Sequence, residues 1–231
     1  MKSVREIYKI GVGPSSSHTM GPVYAINRFI NGLQETPDLI KIILYGSLAK
    51  TGKGHGTDRA LKLATSVNTE IVLNEEDTTV EHPNTLDFYA YKNGEELAFT
   101  RFFSIGGGDI AWLENGTIKY PTSKEYYEHS TFTEIANYCK ENDLRLSEYV
   151  FMHEDEDFKV YLQKVWQTMT SAISEGLSAK GILPGGLGTQ RKAKKLHGQR
   201  HIDESPQTRE NRLVCSYAFA VSEQNADLGT I

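Results

Sequence analysis

Cysteine is scarce in this chain: among 231 residues only Cys139 and Cys215 occur, with no CxxC pair. That argues against a disulfide framework or a cysteine-built zinc site. It also leaves the chain short of the three or four thiolates that usually hold an iron–sulfur cluster. Positive charge is short too, with 25 Lys plus Arg against 30 Asp plus Glu and a net charge of −5. A nucleic-acid coat or a polybasic membrane binder is therefore not expected. No apolar run reaches the ~18 residues of a spanning helix, and the N-terminus MKSVREIYKIGVGPSSS lacks the apolar stretch of a secretory signal. The expectation is a cytoplasmic protein whose partner is a small molecule, with neither nucleic acid nor membrane involved. A hydrophobic content of 39% is enough for one large domain or two modest ones.

Hydrophobic spacing divides the chain. Gly11 to Pro22 is so rich in Gly, Ser and Pro that it reads as a loop, followed by a helix in which Val23, Ile26, Phe29, Ile30 and Leu33 recur at helical spacing. Pro22 suits the first turn of that helix, where its missing N–H costs nothing. Leu39 to Tyr45 is dense in β-branched residues and reads as a buried strand. Thr51 to Asp58 reads as a second Gly-rich loop, and Arg59 to Val67 as helix. Asn93-Gly94 between two apolar-rich runs signals a hairpin. From Thr131, which forms a capping box with Glu134, strand signals thin out and two long helical patterns follow. The expected fold is an α/β (α+β) N-terminal domain over residues 1–150, with mixed sheet and helices. A mostly helical, incomplete segment follows over 151–231, and the closing Asn225 to Ile231 stretch reads as cut off. No internal repeat or low-complexity tract is visible.

Two Gly-rich segments could carry chemistry. Ser15, Ser16, Ser17 and Thr19 place four hydroxyls, with His18 among them, just ahead of a helix start, where unpaired N–H groups and the dipole favour a carboxylate or phosphate. The bland alternative is a helix cap with extra turn residues. The segment Gly52-Lys53-Gly54-His55-Gly56-Thr57-Asp58 fails the GxxxxGK[ST] spacing of a phosphate loop. What remains is His55, able to approach a ligand closely because Gly54 and Gly56 have no side chains. Asp58 either caps the next helix or orients an imidazole. Ser104 to Gly108 and Leu183 to Gly188 read first as structural turns. The basic stretch Arg191, Lys192, Lys194, Lys195 and Arg200 reads as a solvated face, and His197 with His201 lacks the HExxH pattern.

Taken together, Val12 to Pro22, Tyr45-Gly46-Ser47-Leu48, Thr51 to Asp58 and Ser104 to Gly108 resemble the iron–sulfur L-serine dehydratases in order and spacing. Val165 to Met169 and Leu183 to Ala193 resemble the opening of that family's second, catalytic domain. Asp109, Thr189 and Lys192 depart from the family pattern. The resemblance implies elimination of water from L-serine to give pyruvate and ammonia, with a 4Fe-4S cluster as Lewis acid and no PLP. It implies a homodimer for the full-length enzyme, whose cluster cysteines lie beyond this chain, so the chain alone is expected to be inactive. His55 and His18 are the expected catalytic residues, with His55 as α-proton base and the two roles interchangeable. Ser15, Ser16, Ser17, Thr19, Gly54 and Asp58 are the expected substrate contacts. An alternative is a non-catalytic L-serine-binding regulatory module, because the family's first domain is similar in fold to the serine-binding allosteric domain of some phosphoglycerate dehydrogenases. A plain assembly domain would bind no ligand.

Overall fold

The computed structural model describes residues 1–77, 81–199 and 203–230, so Arg200, His201 and Ile231 lie outside the described residues. The chain groups into two compact units that are not consecutive blocks: Gly11–Pro121 with Met169–Ile231, and Met1–Ile10 with Thr122–Thr168.

The larger unit is built on a six-stranded mixed sheet. Its strands are Leu39–Tyr45 (β1), Asn68–Asn74 (β2), Thr85–Lys92 (β3), Glu95–Gly106 (β4), Asp109–Glu114 (β5) and Thr117–Lys119 (β6), ordered β2-β1-β3-β4-β5-β6. Only β1 and β2 run parallel, and the remaining pairs are antiparallel. Side chains alternate across a strand, so the register of β1 on β3 sets Ile40 opposite Ala90, Ile42 opposite Phe88 and Leu44 opposite Leu86 on one fully buried face. Helix Gly21–Asn31 (α1) lays Ala25, Ile26 and Phe29 into the same core, where Phe29, Phe88 and Phe102 meet with centroids 5.4–6.4 Å apart. Burying each such ring is worth about 1.5–3 kcal/mol. The hairpin between β3 and β4 turns on Asn93 and Gly94, both at positive φ, as a two-residue loop with matching twist requires. Strands β2, β5 and β6 were not marked by the hydrophobic pattern: β6 is wholly exposed and only three residues long.

Two segments expected as loops are helical. Ser16–Met20 winds as a wide π-type turn that runs directly into α1, with Ser15 as its cap. Gly46–His55 is a helix (α2), and Thr57–Leu63 another (α3). Three glycines did not break α2, because Leu48 and Ala49 bury one face and Gly52 sits where Leu44 and Thr57 come close. Left-handed backbone occurs only at its two ends, Gly46 (φ 51°) and Gly56 (φ 71°), where β1 turns into α2 and α2 into α3.

The rest of the larger unit is helical. Phe158–Ser178 (α6) contributes its residues from Met169, joined by Ala193–Gly198 (α7) and Pro206–Ala226 (α8), the last opened by the Ser205 cap and Pro206. Helices α6 and α8 meet at Gly176, where an added Cβ would stand 2.0 Å from the Ala220 carbonyl oxygen.

The smaller unit holds Phe132–Glu141 (α4), Leu146–His153 (α5) and the first part of α6. Thr131 and Glu134 form the reciprocal capping box expected of them. Tyr127, Ile135, Cys139 and Tyr149 make its core. Glu154 ties down the N-terminal segment by accepting from the Ser3 hydroxyl (2.6 Å), the Val4 N–H (2.8 Å) and the Tyr127 hydroxyl (2.6 Å). Burial pushes the Glu154 carboxyl up, and these donors outweigh it and hold it below the usual range. Among the described residues no helix is long and apolar enough to cross a membrane.

Candidate functional site

The larger unit brings the two Gly-rich segments together. The His18 and His55 rings lie 4.6 Å apart between centroids, tilted by 32°. His18 is delivered by the π-type turn and His55 by the last turn of α2, so each imidazole is placed by a regular element. The turn itself is anchored to the sheet, since the fully buried Ser104 on β4 donates its hydroxyl to the Ser17 carbonyl at 2.8 Å.

His18 is half-buried, with its Nδ1 3.0 Å from the Ser17 hydroxyl and its Nε2 3.1 Å from the Ser47 hydroxyl. A hydroxyl either gives or takes a proton, so both ring nitrogens are served in either neutral tautomer. Burial pushes the His18 pKa below the usual histidine value, and the neighbouring His55 lowers it further. His18 is thus neutral at pH 7. The Nδ1 of His55 lies 3.0 Å from the Thr51 carbonyl oxygen. A carbonyl only accepts, so that nitrogen carries a proton, and in the neutral ring the lone pair falls on Nε2. No described residue hydrogen-bonds this Nε2. The arrangement is a neutral imidazole held between two hydroxyls, against the tilted ring of a second imidazole whose Nε2 has no hydrogen-bond partner among the described residues.

The remaining expected contacts separate into those beside this pair and those spent elsewhere. The Ser15 hydroxyl accepts the His18 N–H at 3.2 Å and lies 3.5 Å from the Ser17 hydroxyl. Ser16 is exposed. Thr19 is fully buried, its hydroxyl 2.7 Å from the Val12 carbonyl and 2.5 Å from that of Ser15, so it braces the turn from beneath. Nothing lies within 4 Å of where a Gly54 side chain would begin, which leaves that approach open. Asp58 sits half-buried in the first turn of α3 and makes no capping bond, because the cap position belongs to Gly56. Ser47 belongs to the Tyr45-Gly46-Ser47-Leu48 motif, yet nothing local marks its contact with His18. That contact comes from the sharp turn at Gly46, with the Ser47 N–H bonded to the Pro83 carbonyl at 2.7 Å.

A buried charge network stands at the end of β1 that launches this turn. Asp87, 1% exposed, accepts two bonds from Arg101, at 2.7 and 2.8 Å, and one from the Tyr45 hydroxyl at 3.0 Å. Burial first, then the Asp87 charge, pushes the Tyr45 phenol up to about 12.

Residues 3–66 and 61–115 match the family described as Serine dehydratase beta chain. Among curated relatives, the chain is 31% identical to L-serine dehydratase TdcG of Escherichia coli, the alignment covering 100% of this chain and 62% of that protein. It is 28% identical to L-serine dehydratase of Streptomyces coelicolor, covering 99% of this chain and 61% of that protein. L-serine dehydratase 1 of Escherichia coli is 29% identical, with 100% and 62% covered. The chain therefore spans about three fifths of the length of these relatives.

Proposed function

The chain is of the L-serine dehydratase beta-chain type, and from that premise we propose that it binds L-serine at the Ser15–Thr19 turn and handles the proton in its elimination to pyruvate and ammonia. Residues 1–150 serve as the beta domain in this reading, and 151–231 as the start of the helical catalytic domain. The observation that carries it is the His18–His55 pair beside a turn of hydroxyls.

Dehydration of serine removes a weakly acidic α-proton and expels a poor leaving group, so it needs a base and an acid. His55 Nε2 is the base, its lone pair aimed by the Nδ1–H bond to Thr51. Because His18 stays neutral, His55 takes up a proton without a like charge stacked on it. The hydroxyls of Ser15, Ser16 and Ser17 hold the substrate carboxylate at the opening of the helix, where first-turn N–H groups lack intrahelical acceptors. Thr19 contributes by keeping the turn in shape.

The cluster expected from the resemblance finds no fit on this chain. Cys139 is buried and Cys215 exposed, and the described residues gather no group of three or more His, Cys, Asp or Glu able to hold a metal. Two thiols cannot ligate such a cluster, and the chain by itself is expected to produce no pyruvate. Calorimetry with L-serine, alongside a pyruvate assay, tests the reading. Binding without turnover is expected, and absence of both heat and thermal shift refutes it.

The small thiol count also favours a second reading, a non-catalytic serine-binding module. His55→Ala separates the two. A base that waits on chemistry contributes little to ground-state affinity, so binding should stay within about threefold, whereas a module that uses the imidazole as a ligand contact loses it.

A further inference from the structure

The hydroxyls on either side of the His18 ring are not equivalent. Ser47 is the second residue of α2 and its backbone is held on both sides, the N–H donating to the Pro83 carbonyl at 2.7 Å and the carbonyl accepting from the Thr51 hydroxyl at 2.8 Å. Its own hydroxyl lies 3.1 Å from His18 Nε2 and has no other hydrogen-bond partner among the described residues. The Ser17 hydroxyl, by contrast, has two neighbours, His18 Nδ1 at 3.0 Å and the Ser15 hydroxyl at 3.5 Å. Thr51 extends the same frame, because its carbonyl accepts from Nδ1 of His55. One helix therefore fixes both imidazoles.

Which nitrogen of the neutral His18 ring carries the proton follows from what each one meets. Nε2 lies at Ser47, beside the first turn of α2, where N–H groups lack intrahelical acceptors and the helix dipole is positive. A lone pair is favoured there, and one more N–H is not. The Ser47 proton has a single described acceptor, that lone pair. With Nε2 accepting, the ring proton sits on Nδ1 and donates to Ser17 Oγ, which keeps its own proton to give elsewhere. In the opposite tautomer the Ser17 proton is spent on the ring, and Ser47 holds a proton with no described acceptor.

Resting on the reading of these hydroxyls as contacts of a serine carboxylate, we propose that Ser47 is a positioning residue: by donating to His18 Nε2 it holds that ring in the Nδ1–H tautomer and frees the Ser17 hydroxyl to donate to the substrate. Nitrogen NMR of the whole, unliganded chain labelled at histidine reads the tautomer directly. A protonated Nδ1 and a bare Nε2 are expected on His18 at neutral pH. Ser47→Ala should move the proton to Nε2, the commoner site for a histidine in water, whereas Ser47→Thr keeps the hydroxyl and should leave it on Nδ1. A merely structural role does not reverse a tautomer. A proton on Nε2 in the unaltered protein overturns the proposal whether or not the variants fold, and so does an unchanged tautomer in Ser47→Ala. Calorimetry with L-serine reads the consequence. Removing a hydroxyl that donates to a carboxylate, as in Ser17→Ala, should weaken binding about 10-fold. Ser47→Ala should weaken it too, but only while Ser17 is present, because it acts through that hydroxyl. Additive losses in the double variant overturn this route. Absence of serine binding by the unaltered chain overturns the serine-site reading, while the tautomer, read without ligand, decides separately on Ser47.

Discussion

Gly21 offers a quantitative check on how the histidine-bearing turn is held. It is the first residue of α1, and a Cβ there would stand 2.2 Å from Ser104 Oγ and 3.1 Å from Ser104 Cβ. The same Oγ donates to the Ser17 carbonyl at 2.8 Å, so one atom is both the obstacle to a side chain at 21 and the tether of the turn. Alanine at 21 gains at most about 1 kcal/mol of helix propensity. Against this stand about 1–3 kcal/mol of overpacking and about 1–3 kcal/mol for leaving the Ser17 carbonyl without its donor. Gly21→Ala should therefore destabilise by about 3 kcal/mol. Ser104→Ala alone removes the tether and should cost about 1–2 kcal/mol. In the double variant the clashing atom is already gone, so the two costs overlap and the cycle should show a coupling of about 1–2 kcal/mol. Independent sites add within about 0.3–0.5 kcal/mol. Urea unfolding of the four proteins measures it, and additivity inside that margin would refute the shared role of Ser104 Oγ.

Stability should also fall on mild acidification. Burial holds His18 and His82 below the ordinary histidine pKa, with His55 adding to the effect at His18. The unfolded chain takes up these protons near pH 6.5 and the folded chain only lower, so their contribution is whole above that value and shrinks as pH drops through it toward the folded pKa values. Urea midpoints at pH 8 and 5.5 test this: His18→Gln should flatten the difference, and a midpoint that rises on acidification contradicts the assignment. In an NMR titration His55→Ala should move His18 upward, yet leave it below 6.5 because burial is the larger cause; a downward move would count against the stacked pair. Asp87→Ala strands the Arg101 guanidinium and the Tyr45 hydroxyl, at about 3 kcal/mol. A loss under about 1 kcal/mol in chemical denaturation would show the network to be dispensable. Gly176→Ala drives a methyl into the Ala220 carbonyl, a backbone atom that cannot rotate aside, and should cost about 2 kcal/mol despite better helix propensity. An unchanged melting temperature would show that α6 and α8 are not in the contact described.

Much of the fold is local and was legible on that ground. Leu39 to Tyr45, the Asn93-Gly94 turn, Pro22 at a helix start and the Thr131 capping box each state their conformation within a few residues. The two histidine segments were also recognisable as a pair, since their order and residue types follow a family pattern. Their conformation was not, because glycine content opposes helix locally, while Leu48 and Ala49 supply buried contacts from other parts of the chain that override it.

What the residues determined by themselves is thus the chemistry available: two imidazoles, a run of hydroxyls and too few thiolates for a cluster. Tertiary structure decided which of these groups meet. Only folding stacks His18 on His55, turns Ser47 toward His18, spends Thr19 on the backbone and carries Asn225 from the far end of the chain to Gly13. The reason is that such contacts join residues tens to hundreds of positions apart, and their geometry is set by how helices and sheet bury a common core rather than by any preference of the residues that touch.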